Sequence, residues 1–221
     1  LLAAAGHGPI GRPAGGLSSS GVRALEAGLP EVFAASAAAL SRSLAGARTL
    51  VCLDPGDALA LRRDYPTLGH PIGAQVVHLT EAVAGRLPPL RRVIDGDVLY
   101  LDACRLGRGL GIYDAPRRVL AEVIGGAVVE AVLHHAEGGC CGVGGGFAAT
   151  QPEAAARVAT EAIDGGPDGW DAPALPVVIA SGVCATHLGA AAGPGRTIHD
   201  WTTLIAAALP EGAPDTDEEG A

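Results

Sequence analysis

The chain contains no lysine, no methionine and only 3% aromatic residues, although 48% of its 221 residues are hydrophobic. All 15 cations are arginines, set against 24 acids for a net charge of −9. An acidic chain without a basic stripe lacks the electrostatic footprint of a nucleic-acid binder. No apolar run approaches the roughly 18–20 residues that a bilayer-spanning helix needs, so no transmembrane segment is expected. The N-terminus has no succession of basic region, apolar run and cleavage site, so no signal peptide is expected either. It opens on Leu1 instead of methionine, which suggests a fragment of something longer. With aromatics scarce, the cores should be thin layers of Ala, Val and Leu between closely approaching elements.

What is present divides unevenly. Residues 1–93 carry nine arginines against six acids, and residues 94–221 carry six against eighteen. The length suits two domains of roughly 100 residues each. Asp215, Asp217, Glu218 and Glu219 lie in a Gly/Pro-containing end, 211–221, that reads as a solvated, disordered acidic tail. Five cysteines without an export signal fit a reducing, cytoplasmic setting. There, clustered thiols are more often ligands or redox groups than disulfides.

Short apolar runs alternate with helical patterns along the whole chain. In the first half, strands are expected at 48–53 and 75–78, with helices at 30–44, from Asp54-Pro55 to Arg63, and at 80–87. Pro88-Pro89 opens a linker at 88–95. In the second half, strands are expected at 98–102, 127–133, 177–180 and 197–198. Helices follow at 114–124, 151–163, around Cys184, and at 200–209, with a loop at 165–175. This alternation indicates an α/β fold with small parallel sheets flanked by helices.

The halves also match each other. Ser19-Ser20-Gly21-Val22 corresponds to Cys140-Cys141-Gly142-Val143, and Pro30-Glu31 to Pro152-Glu153. Val51 to Asp57 corresponds to Val178 to Cys184, and Val77-His78 to Ile198-His199. This pattern reads as an internal duplication in which the first copy has serine and aspartate where the second has cysteine.

Cys140 and Cys141 are adjacent, Cys104 precedes them with 35 residues between, and Cys184 follows with 42 between. Vicinal cysteines do not readily bridge each other across a planar trans peptide, but they can point at one shared object. Cys104 falls just after an expected strand, the pair in a loop before a helix, and Cys184 at a helix start. In a parallel sheet those are carboxyl ends of strands on one edge, where sites collect. Four thiolates at one point suit an iron–sulfur cluster or a tetrahedral zinc. Cys52, in a strand, reads as a small buried residue.

Other motifs weigh less. His134-His135 reads as a loop pair at a strand end, with metal ligation or a hydrogen bond to sulfur as the sharper alternative. Gly142 to Gly146 lacks the lysine of a phosphate loop, and its small residues instead admit close backbone approach to a cofactor. Ser18-Ser19-Ser20 lacks a nucleophile elbow. Arg105, Arg108, Arg117 and Arg118 read as neutralising a charged centre or docking an acidic partner, and equally as helix-surface charge.

The pattern C104-x35-C140-C141-G-x41-C184 resembles the CCG-domain (cysteine-rich domain) iron–sulfur family. It is carried by "LDACRLGRGLGIYDAPRR", "HHAEGGCCGVGGG", "VVIASGVCATHL" and "RTIHDWTTLIAAAL". The family includes cysteine-rich subunits of heterodisulfide reductases, the glycolate oxidase iron–sulfur subunit and related lactate-utilisation proteins. The resemblance implies two tandem pseudo-symmetric CCG-type domains: a degenerate one at 1–93 and an intact one at 94–210. It implies Cys104, Cys140, Cys141 and Cys184 as ligands of one [4Fe–4S] cluster, with zinc as the alternative. It implies an electron-transfer subunit of a flavin-linked oxidoreductase of 2-hydroxy acids or similar substrates. Its partners would be a flavoprotein dehydrogenase subunit and a ferredoxin-like or quinone-linked carrier. The location would be cytoplasmic, with any membrane association made through partners. Two departures bear on chemistry. Ser181 stands where the full pattern has the first Cys of Cys-x-x-Cys, and Ala103 and Arg105 replace its Pro and His. These favour carrying electrons over heterodisulfide-type thiol–disulfide reduction, the alternative function, beside a zinc-binding or metal-free scaffold. The ferredoxin-like Cys-x-x-Cys-x-x-Cys runs usual in the family are absent from these residues, which implies that the segment was lost, was truncated, or sits on another chain.

Overall fold

The computed structural model describes residues 1–11, 19–164 and 175–211. Ser18, residues 165–174 of the expected loop and residues 212–221 of the acidic tail lie outside the described residues.

In the first half, α1 (Val22–Glu26) and α2 (Pro30–Ser43) precede β1 (Thr49–Cys52). Asp54 caps α3 (Pro55–Leu59) by accepting from the Gly56 N–H at 2.8 Å, with Pro55 in the first turn. That helix does not stop near Arg63 as its pattern suggested. It widens into a π-helical segment, Ala60–Asp64, and re-forms as α4 (Tyr65–Thr67). β2 (Gln75–His78) then pairs parallel with β1, and α5 (Leu79–Val83) follows, shorter than the expected 80–87 because Gly85 turns the chain at φ 70°.

The second half holds β3 (Val98–Leu101), a π-helical turn at Arg105–Gly109, α6 (Asp114–Val123), β4 (Val128–Glu130), α7 (Phe147–Thr150), α8 (Pro152–Asp164), β5 (Val177–Ile179), α9 (Gly182–Ala191), β6 (Ile198–Asp200) and α10 (Trp201–Ala207). The expected strand 127–133 stops at Glu130, and Val132 and Leu133 are exposed. All pairings are parallel, in the order β4-β3-β5-β6. β3 and β5 are buried at every residue, which accounts for their unbroken apolar runs.

Two hydrophobic clusters form. The smaller gathers Phe33, Ala37, Leu40, Leu61 and Tyr65, with the Phe33 and Tyr65 rings edge to face at 5.7 Å. The larger surrounds β3 and β5 and takes in Leu188, Trp201 and Ile205, together with Leu79 and Val83 of α5. Ala37, Ala155 and Ala159 are fully buried, so the alanine-rich helices do lie close to their neighbours. The expected linker is tied down: the Arg91 N–H donates to the Ala208 carbonyl and the Val93 N–H to that of Val123.

Strand registers refine one sequence correspondence. Cys52 pairs with His78 in the small sheet, and Ile179 pairs with Asp200 in the large one. His78 and Asp200 each cap the helix that follows. The counterpart of His78 is therefore Asp200, one residue beyond His199.

Candidate metal centre

Three loops at the carboxyl edge of the larger sheet supply the thiols. Cys104 follows β3 and begins the π-helical turn. Cys140 and Cys141 lie in the connection between β4 and α7. Cys184 sits in the first turn of α9, behind β5. In the order β4-β3-β5-β6 the chain leaves β3 on one side for β4 and returns on the other as β5. The thiols thus border the crevice where strand order reverses, the usual ligand position of open parallel sheets.

The four thiols form a row. Cys104 and Cys140 are within hydrogen-bonding reach, as are Cys140 and Cys141. Cys141 Sγ lies 3.0 Å from Cys184 Sγ. Thiol protons shared along this row drive neighbours apart. Hydrogen bonds from Cys104 and Cys141 hold Cys140 far below the ordinary thiol value, and one from Cys141 lowers Cys184. Donation to Cys140 raises Cys104, and donation to Cys140 and Cys184 raises Cys141, with burial adding in each case. Cys141 and Cys184 are 6% and 8% exposed, whereas Cys140 faces solvent.

Backbone geometry makes this approach possible. Gly142 has φ 87°, and a Cβ there would come 3.0 Å from the Ala155 carbonyl oxygen on α8. The Gly142 N–H points at Cys140 Sγ at 3.4 Å. Ser181 caps α9, its Oγ 3.5 Å from the Cys184 N–H. The amino end of that helix favours thiolate at Cys184.

A cavity of about 350 Å³ opens over the row, and its lining includes Arg23, Asp54, Arg105, Phe147 and Val183 as well as the thiols. Arg23, Asp54 and Pro55 come from the first half. Sequence reading did not single out Arg23 or Asp54 for this site, though Asp54 was legible as the counterpart of Ser181. The two caps touch, with Ser181 Oγ 3.4 Å from Asp54 Oδ2. Arg105 is ion-paired with Glu26 of α1, further joining the halves.

The arginine group divides. Arg108 donates to the Gly138 carbonyl and its charge favours thiolate at Cys140. Arg118 is exposed. Arg117 is a clamp: it meets both oxygens of Asp102 at 2.8 and 2.7 Å and both of Glu130 at 2.7 Å, with its guanidinium 4.6 Å from the Tyr100 ring centre. Asp102 also accepts the His135 N–H at 2.6 Å. Burial alone would raise the Asp102 carboxyl, but its hydrogen bonds from Arg117 and His135 hold it below its ordinary value. One buried ion pair thus fixes the ends of β3 and β4 relative to the loop leading into Cys140.

Cys52 lies apart at the end of β1, its thiol pushed up to about 12 mainly by burial. It is an inert core residue.

Residues 98–189, which carry the site, match the model of the CCG family, described as a cysteine-rich domain. Among known proteins, this chain is 37% identical over 106 residues to an EtfAB:quinone oxidoreductase of Syntrophomonas wolfei, covering 46% of this chain and 14% of that protein. It is 33% identical over 115 residues to a fumarate reductase (CoM/CoB) subunit of Methanothermobacter marburgensis, covering 52% and 22%. It is 35% identical over 119 residues to a dihydromethanophenazine:CoB–CoM heterodisulfide reductase subunit of Methanosarcina mazei, covering 52% and 29%. The chain thus spans less than a third of the length of each. No helix among the described residues is long and apolar enough to cross a membrane.

Proposed function

We propose that this chain is the electron-transferring part of a flavin-linked oxidoreductase of 2-hydroxy acids or similar substrates, with one [4Fe–4S] cluster on Cys104, Cys140, Cys141 and Cys184. The observation that carries this reading is the convergence of four thiols from three loops at one crevice, ending in the 3.0 Å Cys141–Cys184 contact. The relatives named above are oxidoreductases or their subunits, which supports a redox role. Residues 1–93 serve as a degenerate CCG-like half and 94–210 as the intact one.

The donor set fits such a group. Thiolates are soft ligands suited to iron–sulfur centres, whereas the serines and aspartate of the first half are hard oxygen donors. Arg23 and Arg105 at the cavity wall and Arg108 beside Cys140 offset negative charge. A bound cluster supplies reversible one-electron storage. The chain's own residues then ligate, exclude water at Cys141 and Cys184, and tune the potential through the Gly142 N–H to Cys140. Cys140, the solvent-facing ligand, marks the side for electron exchange. The partners are a flavoprotein dehydrogenase subunit and a ferredoxin-like or quinone-linked carrier, met in the cytoplasm or at a membrane surface.

Anaerobic purification followed by iron and sulfide analysis tests the proposal, with paramagnetic resonance of the reduced protein. The expected result is stoichiometric iron and sulfide and a broad visible absorption. Fewer than about one iron per chain overturns it, and zinc in place of iron would make the centre a structural one.

A further inference from the structure

A second cluster of ligand-bearing side chains lies outside the cysteine row. Glu130, His134 and His135 each offer one ligand atom, and the three atoms lie within 4.8 Å of one another. Glu130 ends β4 and the histidines follow it, so this cluster also sits at a carboxyl strand edge.

We propose that Glu130, His134 and His135 form a binding site for one borderline divalent metal ion, Zn²⁺ in the cell, separate from the thiol centre. The donor chemistry selects the class of ion. Two imidazoles and one carboxylate suit zinc or cobalt, whereas magnesium and calcium take all-oxygen shells. His134 Nδ1 lies 2.6 Å from His135 Nδ1, two ring nitrogens facing each other. An ion can sit between them once the exposed His134 ring turns enough to widen the pair to ligand spacing.

The surroundings hold the donors in place. Glu130 is oriented by Arg117 through both carboxylate oxygens, leaving further lone pairs for an ion. His135 keeps φ 55°, uncommon for a residue with a Cβ, while its N–H is held by Asp102 and its ring packs on Tyr113 at 5.3 Å between centres. Such orienting contacts are the supporting shell that metal sites use. Asp102 and Glu130 outweigh Arg117 by one negative charge, which favours a cation. Three protein ligands leave a coordination position open to water, as in zinc sites that do more than hold a fold.

Co²⁺ is the probe, added to the anaerobically purified protein with its thiol centre as isolated. The expected result is one equivalent bound with visible d–d bands and no sulfur-to-cobalt charge transfer. His134→Ala, a surface change, should abolish that signal, and Glu130→Gln should weaken binding by about 10–100-fold. Iron and sulfide content should stay unchanged in the His134→Ala protein. Absence of sulfur-free cobalt binding, or binding that survives His134→Ala, overturns the proposal. A cobalt spectrum dominated by thiolate charge transfer means the ion sits on the cysteines. That outcome refutes this site and, by showing those thiols unoccupied, separately counts against the iron–sulfur reading.

Discussion

Ser20 and Asp57 in the first half meet as Cys141 and Cys184 do in the second. Ser20 Oγ donates to Asp57 Oδ1 at 2.5 Å, where the thiols approach to 3.0 Å. The Gly21 N–H donates to Ser19 Oγ at 3.1 Å, as the Gly142 N–H does to Cys140 Sγ at 3.4 Å. A Cβ on Gly21 would strike Ser36 and Phe33 of α2, and one on Gly142 would strike Val158 and Ala155 of α8. With Pro30 set against Pro152, those are the same helix positions. One backbone arrangement thus holds a metal-type donor set in one half and a hydrogen-bonded serine–aspartate pair in the other. The difference is carried by the donor atoms: Asp57 accepts the Ser20 hydroxyl in the first half, where the second sets two thiols together. A cavity opens over the second-half donors, where sulfur replaces oxygen and Cys104 adds a fourth donor.

The largest effect should come from exchanging donors. Cys184→Ser is expected to remove most bound iron, whereas Ser20→Ala in the other half should leave iron and sulfide content unchanged. Loss of iron in both would break the comparison.

Next are the ion pairs. Asp102 is 4% exposed and Arg117 12%, so Arg117→Ala strands a buried carboxylate and should cost about 3–5 kcal/mol in urea unfolding. Arg62 and Glu81 in the first half are 29% and 34% exposed, and Arg62→Ala should cost on the order of 1 kcal/mol.

Glycine substitution probes the shared turn. Gly21→Ala and Gly142→Ala each place a Cβ at positive φ against a helix and should each cost about 1–3 kcal/mol. The Gly21 change should act on stability alone, and the Gly142 change on cluster retention as well.

The gentlest contrast is in pH. His78 caps α5 while buried, and burial lowers its pKa from 6.5 to about 4, whereas its counterpart Asp200 caps α10. The unfolded chain therefore takes up the proton first. Stability is unaffected above about 6.5, falls as pH drops towards about 4, and levels off below that. The slope should not exceed about 1.4 kcal/mol per unit. His78→Asn should flatten it in thermal melts taken across that range, and an unchanged slope would assign the acid sensitivity elsewhere.

Much of this was legible before folding. The alternation of short apolar runs and capped helices identified the parallel α/β class, because buried parallel strands must be apolar at every position. The spacing of Cys104, Cys140, Cys141 and Cys184 foretold their convergence, because thiols placed after successive strands share a sheet edge. Boundaries were less legible. The π-helical turns at Ala60–Asp64 and Arg105–Gly109 have no periodic signature, since they are local widenings of a helical path. Arg117 read equally as a residue that neutralises a charged centre or docks a partner and as surface charge on α6, and nothing in its neighbours signalled Asp102 and Glu130 as its partners.

The sequence by itself determined which half carries sulfur, because ligand identity is a property of each residue. It also determined the small residues beside the donors, because glycine alone tolerates Gly142's conformation next to α8. Tertiary structure decided the rest: the order β4-β3-β5-β6 that opens a crevice between Cys104 and Cys184, the Arg117 clamp, and the insertion of Arg23 and Asp54 from the first half into the cavity wall. Those are contacts between residues distant in the chain, and only the packing of one sheet edge against the other half brings their charges together.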